Sequence, residues 1–183
     1  MKRLFFVFLF ALVVLVVTQG RATTIRPMTV EQMTKVASSV VEAHALNSWS
    51  AWNAQHTIIY TYTRLQVTNT LKGSPQSYIL VKQIGGTADG YAQHVAGVRY
   101  LQPGEDAVLF LYQNNAEPGT DVVVGLMQGQ FRATRNKSGQ TLVSNGVPGA
   151  EALQFGSNHV TVYQGSSMTL NELESRVRRT LQQ

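Results

Sequence analysis

The chain has no cysteine and few charged residues. None of its 183 residues is cysteine, and only 14% are Asp, Glu, Lys or Arg. Without cysteine there is no disulfide, no thiol nucleophile and no thiolate ligand for zinc. The ten acidic residues lie mostly near turns, so we do not expect a pair of carboxylates for acid–base catalysis. The stability of the fold must therefore come from its apolar core.

Local catalytic and metal-binding motifs are also missing. The sequence contains no H-E-x-x-H, no G-x-S-x-G and no phosphate-binding loop. No two of the four histidines are separated by the short spacing typical of metal ligands; they are His44, His56, His94 and His159. We therefore predict no catalytic residues, no metal and no cofactor, and expect a protein that is not an enzyme. A hydrolase whose site is assembled from distant residues is an alternative.

The N-terminus has the pattern of a secretory signal peptide. Lys2 and Arg3 precede an unbroken apolar run, residues 4–17, which is shorter than the about 20 residues that a spanning helix needs. Gly20 and Ala22 are small residues two apart, so we predict cleavage after Ala22, with cleavage after Gly20 as the alternative. Because eukaryotic secreted domains commonly depend on disulfides, we expect a bacterial periplasmic or secreted protein. An uncleaved N-terminal anchor is the other interpretation.

Cleavage changes the charge of the chain. Removing residues 1–22 takes away three of the 15 basic residues, so 12 basic and 10 acidic residues remain and the formal net charge falls from +5 to +2. The basic character of the whole chain thus comes largely from the signal, and we predict neither nucleic-acid binding nor membrane attachment after cleavage. The rest divides into a predicted linker, 23–28, and a single predicted domain, 29–183.

One helix is predicted near each end of this domain. Residues 29–32 (TVEQ) and 169–172 (TLNE) are capping-box sequences, and apolar residues at helical spacing follow each of them. In the second helix, Glu174 and Arg178 are spaced to form an ion pair, as are Glu172 and Arg176. The arginines near its end complement the helix dipole, which explains them more simply than a basic partner site.

Between the helices the apolar pattern has a period of two, which is typical of strands. Residues 57–71 and 76–83 alternate clearly, with Leu65 on the predicted core face of the first. Residues 47–56 are predicted to be a hairpin connection in which Trp49 and Trp52 tuck under the end of the barrel, an exposed binding tip being the alternative. Short strands with turn signals between them indicate a small closed or half-closed barrel, whose open sides the helices would cover.

Five segments of the chain resemble a known type of β-barrel: residues 38–45 (SSVVEAHA), 61–67, 70–73 (TLKG), 103–105 (PGE) and 108–111 (VLFL). In these the chain is similar to the OB-type barrels of netrin-like and TIMP-like modules (tissue inhibitors of metalloproteinases), and closer still to uncharacterised bacterial exported proteins of that architecture. The similarity covers roughly residues 29–135. It implies an OB-like barrel, and with the two helices predicted above we expect a mostly β fold, a small OB-like barrel with a short N-terminal helix and a C-terminal helix. The animal inhibitors bind zinc through an N-terminal cysteine, so their mechanism cannot be carried over.

One face of the predicted barrel is a candidate binding surface. Tyr60, Tyr62 and Arg64 share a face of one strand, and Tyr78 and Lys82 share the corresponding face of the next. The face around the second and third strands is the usual ligand surface of OB-folds, and aromatic side chains there stack on sugars, peptides or bases. Alternatively, the tyrosines are ordinary strand residues that make cross-strand pairs, or they pack under the terminal helix.

These patterns favour one class of function. We expect an exported, non-enzymatic β-barrel module that binds a protein or peptide partner. A modulator or inhibitor of an extracellular protease is the alternative that the resemblance implies.

Overall fold

The structure is a computed structural model, and it describes residues 24–146, 151–153, 160–162 and 165–183. The helices are α1 (Val30–Val36) and α2 (Leu170–Leu181). The strands are β1 (Thr24–Ile25), β2 (Ser39–Trp52), β3 (Ile59–Lys72), β4 (Tyr78–Ile84), β5 (Gly86–Ala88), β6 (Tyr91–Gln93), β7 (Asp106–Gln113), β8 (Asp121–Val123), β9 (Gln130–Arg135), β10 (Thr141–Ser144), β11 (Glu151–Leu153), β12 (Val160–Val162) and β13 (Ser167–Thr169). The predicted signal peptide and its cleavage sites lie outside the described residues.

Strands β2, β3, β4, β7 and β8 close into a barrel. β2 is hydrogen-bonded to β3 and β7, β3 continues to β4, and β8 joins β4 to β7. The pairings are antiparallel except for that of β4 with β8, which is parallel. The spatial order β7-β2-β3-β4 places the fourth barrel strand beside the first, which is a Greek key. The expected mostly β barrel with a helix near each end is confirmed.

Alternate residues of these strands fill the inside of the barrel. Val41, Leu65, Val81, Leu109 and Leu111 are among its fully buried side chains. The prediction that Leu65 faces the core is therefore right. Because inward residues alternate with outward ones, the same pattern fixes which side chains of β3 and β4 reach the outer surface.

A second apolar core lies on the outer side of β2 and β7. Strands β9, β10 and β13 extend the sheet beyond β7, and both helices pack on this extension. Phe110, Phe131 and Val177 are fully buried there. Because Phe110 alternates with the inward-facing Leu109 and Leu111, the helices cover an outer face of the sheet. The expectation that they cover the open sides of the barrel is wrong.

Both helices begin where their capping sequences predict. The Thr29 side chain accepts from the backbone N–H of Gln32, whose own side chain accepts from the backbone N–H of Thr29. Thr169 likewise accepts from the backbone N–H of Glu172. In the described ranges no helix is both long and apolar enough to cross a membrane.

An ion pair joins the two helices. The spacing predicts a pair of Arg176 with Glu172, but Arg176 donates two hydrogen bonds to Glu31 of α1, at 2.7 and 2.9 Å. The expected pair of Glu174 and Arg178 is present at 2.7 Å. The hydrogen bond from Arg176 lowers the pKa of Glu31 to about 2. The predicted pair of Arg176 with Glu172 is wrong because α1 lies beside α2 in the fold, which spacing within one helix cannot show.

β2 extends through much of the segment predicted to be a connection. It continues to Trp52, so only residues 53–58 join it to β3. Its register against β3 shifts between Ala45 and Asn47, which leaves Leu46 as an extra residue. Such a β-bulge changes which side of the strand the following residues face. The predicted connection over 47–56 is therefore wrong in its first half.

Part of the predicted linker, 23–28, is fastened to the fold. β1 pairs in parallel with β11. The backbone N–H of Met28 donates to the Gln128 side-chain oxygen at 2.7 Å, and the amide nitrogen of Gln128 donates to the carbonyl of Arg26 at 2.9 Å. This segment is thus held against the loop between β8 and β9.

Candidate functional site

The predicted binding patch lies on the outer face of β3 and β4. Tyr60, Tyr62 and Arg64 alternate with buried residues of β3, and Tyr78 and Lys82 occupy outward positions of β4. The register places Lys82 directly opposite Tyr62 and Tyr78 diagonal to Arg64. The structure therefore brings all five predicted side chains to one surface, which we call the outer patch.

Trp49 joins the outer patch from β2. Ala43 and Ala45 face the core, so strict alternation would turn Trp49 inward as well, but the bulge at Leu46 shifts the pattern by one residue. The indole stacks on the ring of Tyr62, with centroids 5.7 Å apart and 16° between the planes. Trp49 is 43% exposed. The expectation that it plugs the barrel end is wrong.

Two cations lie over tyrosine rings in the outer patch. The Lys82 ammonium is 3.8 Å from the centroid of the Tyr60 ring and 5.7 Å from that of Tyr62. The Arg64 guanidinium is 5.1 Å from the centroid of the Tyr78 ring. Cations at such distances are attracted to the negative face of the ring. These contacts favour the arrangement of side chains seen at this surface.

The loop between β7 and β8, residues 114–120, folds over one part of the outer patch. Its Glu117 forms an ion pair with Lys82 and accepts a 3.5 Å hydrogen bond from the Tyr62 hydroxyl. Burial alone would lower the pKa of Lys82, but its contacts with Glu117 and Tyr62 outweigh burial, so that pKa is raised. The pKa of Tyr62 is also raised, chiefly by burial. The charged Lys82 therefore attaches the loop to the barrel through its ion pair with Glu117.

A groove of about 620 Å³ separates this loop from the first half of β4. We call it the outer groove. Its lining includes Trp49, Arg64, Tyr78, Leu80, Asn114 and Asp121. Tyr78 is 49% exposed, and burial raises the pKa of Asp121. The groove thus combines exposed aromatic rings, an arginine, the carboxyl of Asp121 and the side-chain amide of Asn114.

A smaller, more apolar cavity of about 280 Å³ lies at the other end of β4. Tyr60, Lys82, Ile84, Val98, Val122 and Leu126 are in its lining. Leu126 has a backbone φ of 68°, a left-handed conformation that is uncommon for a leucine. Glu117 and Lys82, which form the ion pair, both line this cavity, and neither lines the outer groove.

In the part of the chain that the structure describes, the titratable side chains do not form an arrangement typical of a catalytic site. His44 Nδ1 and Asp106 Oδ1 are 2.7 Å apart, but this pair lies on an exposed part of β2 and β7, away from the outer groove. Among the described residues, no hydroxyl is hydrogen-bonded to the other ring nitrogen of His44, as a nucleophilic triad would require. Within the same residues, no group of three His, Asp or Glu side chains is arranged to hold a metal.

No model of a known protein family matches the chain, and a search of curated proteins finds no match. The resemblance to netrin-like and TIMP-like modules therefore stays a prediction. The functional argument rests on the geometry of the outer groove.

Sequence reasoning found five members of the site and missed the others. Trp49 was assigned to the wrong side of the barrel, because no sequence pattern marks the bulge. Glu117 lies 55 residues from Tyr62 and 35 from Lys82, so no local spacing connects them. Its loop carries a clear turn signal, however, and an acidic residue in such a loop was the available clue. Trp52 is outside the site, half-buried against the rings of His56 and Tyr91.

Proposed function

We propose that this protein is an exported, non-enzymatic barrel module that binds a protein or peptide partner in the outer groove. The observation that carries the proposal is the groove itself. Its volume of about 620 Å³ falls within the roughly 300–1,000 Å³ of ligand pockets. Trp, Tyr and Arg side chains supply much of the binding energy of protein interfaces, and Trp49, Tyr78 and Arg64 all line this groove.

The architecture around the groove supports the same function. OB-folds are five-stranded Greek-key barrels, and they bind ligands on the face of their second and third strands and at the loop between their fourth and fifth. In this barrel, β3 and β4 are the second and third strands, and residues 114–120 join the fourth to the fifth. The outer groove lies between those two features, although fold likeness alone does not assign a function.

The N-terminal signal pattern supports a compartment for this binding. A protein exported and cleaved near Ala22 would meet its partner in the periplasm or outside the cell. The partner is therefore an exported protein or a peptide derived from one. An extracellular protease is one such partner, and the resemblance to protease inhibitors is what favours it.

Capture by the immobilised protein tests this proposal. The wild type should retain a specific exported protein from the organism that makes the chain, and the double variant Trp49→Ala/Arg64→Ala should reduce that capture about tenfold or more. The matched control is Leu181→Ala/Arg179→Ala, which removes an exposed apolar side chain and an exposed arginine from α2. Equal loss in both double variants, or no loss in the first, would contradict a binding role for the groove.

A further inference from the structure

We propose that the partner enters the outer groove as an extended segment that pairs with the open edge of β4 as an added strand. This inference rests on the proposed function and specifies how the partner is recognised. Main-chain hydrogen bonds would give such a segment its affinity, and side-chain contacts at alternate positions would give its specificity.

The pairing of β3 with β4 fixes which backbone groups of β4 face the groove. The backbone N–H of Val67 donates to the carbonyl of Ser77 at 2.9 Å, and that of Gly85 donates to the carbonyl of Ile59 at 2.7 Å. Hydrogen-bonded and non-hydrogen-bonded pairs alternate along an antiparallel ladder. Between these two bonds, the residues of β4 whose backbone groups are hydrogen-bonded to β3 are therefore the odd-numbered ones. The backbone groups of Tyr78, Leu80 and Lys82 consequently point to the opposite edge, away from β3.

This edge is paired over only part of its length. In the described chain, β8 meets β4 in a single parallel bridge, between Val81 and Asp121. Before Asp121 the chain diverges from β4, so Pro118 and Thr120 form the far wall of the outer groove. Tyr78 and the N–H of Leu80 thus face the groove at an open strand edge. Proteins commonly cover or charge such edges, because an exposed edge readily pairs with another chain.

The side chains beside this edge suit an extended peptide that bears an acidic group. Trp49 and Tyr78 offer exposed rings on the outer side of the groove. The Arg64 side chain is exposed. Among the described residues, no carboxylate forms an ion pair with its guanidinium, which lies over the Tyr78 ring instead. Arginine recognises carboxylates through paired N–H donors. We therefore infer that the occupant is an extended peptide segment that places a carboxylate on Arg64, away from the carboxyl of Asp121 in the same lining.

Amide hydrogen exchange with a bound peptide tests the strand pairing directly. The probes are short acidic peptides selected from a displayed library of linear peptides on the exported, processed protein. In the free protein the amides of Tyr78 and Leu80 should exchange quickly, and the bound peptide should protect them. The amides of Val81 and Gln83 are the internal control, since they face β3 and should be protected in both states.

Backbone methylation of the peptide gives a second measurement. Methylating the N–H of each peptide residue in turn should weaken binding about tenfold at alternate positions and little at the positions between them. On the protein, Tyr78→Pro should bind about tenfold more weakly than Tyr78→Ala, because only the proline also removes the N–H. Proline is tolerated at the first residue of a strand, and thermal melts of both variants check folding.

The outcomes separate this inference from the proposed function. Protection at Tyr78 and Leu80 with alternating sensitivity to methylation supports an added strand. A peptide that needs Trp49 and Arg64 but shows neither effect overturns strand pairing and leaves the binding function standing. Binding of chitooligosaccharide probes in the groove, with no selected peptide, overturns both.

Discussion

Leu65 shows how one residue on the inner face of β3 supports the barrel. It is fully buried among residues from the other barrel strands. Leu65→Ala should lower the free energy of unfolding by about 2–5 kcal/mol, because it removes apolar contacts and leaves a cavity. Gln66→Ala is the control, since Gln66 is the next residue and is exposed. Denaturant titration measures both, and a midpoint shift for Leu65→Ala no larger than that of the control would mean that the strand faces the other way.

The pair of Glu31 and Arg176 predicts an acid-sensitive contribution to stability. The pKa of Glu31, about 2, lies below the ordinary 4.5 of a glutamate. The ionised Glu31 therefore stabilises the fold above pH 4.5, and this effect is lost as the pH falls towards 2. Glu31→Gln should therefore be less stable than the wild type at neutral pH, with the gap closing between those values. Asp89→Asn, in an exposed turn, is the control. Unfolding measured across this range that shows a constant gap would contradict the assignment.

At the scale of elements, the regular strands were predictable and the irregular strand was not. The faces of β3 and β4 follow from a period of two, since their mutual register has no shift. β2 has three register shifts against β3. Among these, the shift at Leu46 is the one that places its extra residue on β2 and so reverses the face that alternation predicts, and a pattern read across it puts Trp49 on the wrong side. Three of the five patch residues come from β3 and two from β4, which is why sequence reasoning found them.

The loop of residues 114–120 is the element that shapes the outer groove. Glu117→Gln should weaken its attachment to Lys82 and Tyr62 and speed amide exchange throughout the loop. The free energy of unfolding should change by no more than about 1 kcal/mol, because partly exposed ion pairs contribute little. Asn115→Ala, an exposed change in the same loop, is the control. Exchange rates that respond equally to both substitutions would show that Glu117 does not hold the loop.

In the molecule as a whole, strands β2 and β7 are shared by two apolar cores. Residues such as Leu109 face the barrel interior, and their neighbours such as Phe110 face the two helices. The helices thus lie against β2 and β7, whereas the outer groove lies against β4 and the loop that precedes β8. This arrangement leaves the groove open to a partner, and the alternative that the tyrosines pack under the C-terminal helix is wrong.

The predicted signal peptide bears on where the whole molecule acts. Mass spectrometry of the exported protein should find an N-terminus at Thr23, or at Arg21 if cleavage follows Gly20. Ala22→Leu should suppress the Thr23 terminus, because the cleavage site requires small residues. Recovery of the protein only as an intact, membrane-bound chain would contradict the predicted signal peptide and the compartment proposed for its partner.

Photo-crosslinking from the outer groove tests the central claim most directly. A photoreactive phenylalanine derivative replaces Tyr78 in one protein and Leu181 in another, two positions with similar exposure, 49% and 45%. Irradiation in the producing organism should yield a specific crosslinked partner from position 78, lost on adding Trp49→Ala/Arg64→Ala, and none from position 181. Crosslinks from position 181 alone, or equal crosslinks from both positions, would show that partners do not bind in the outer groove.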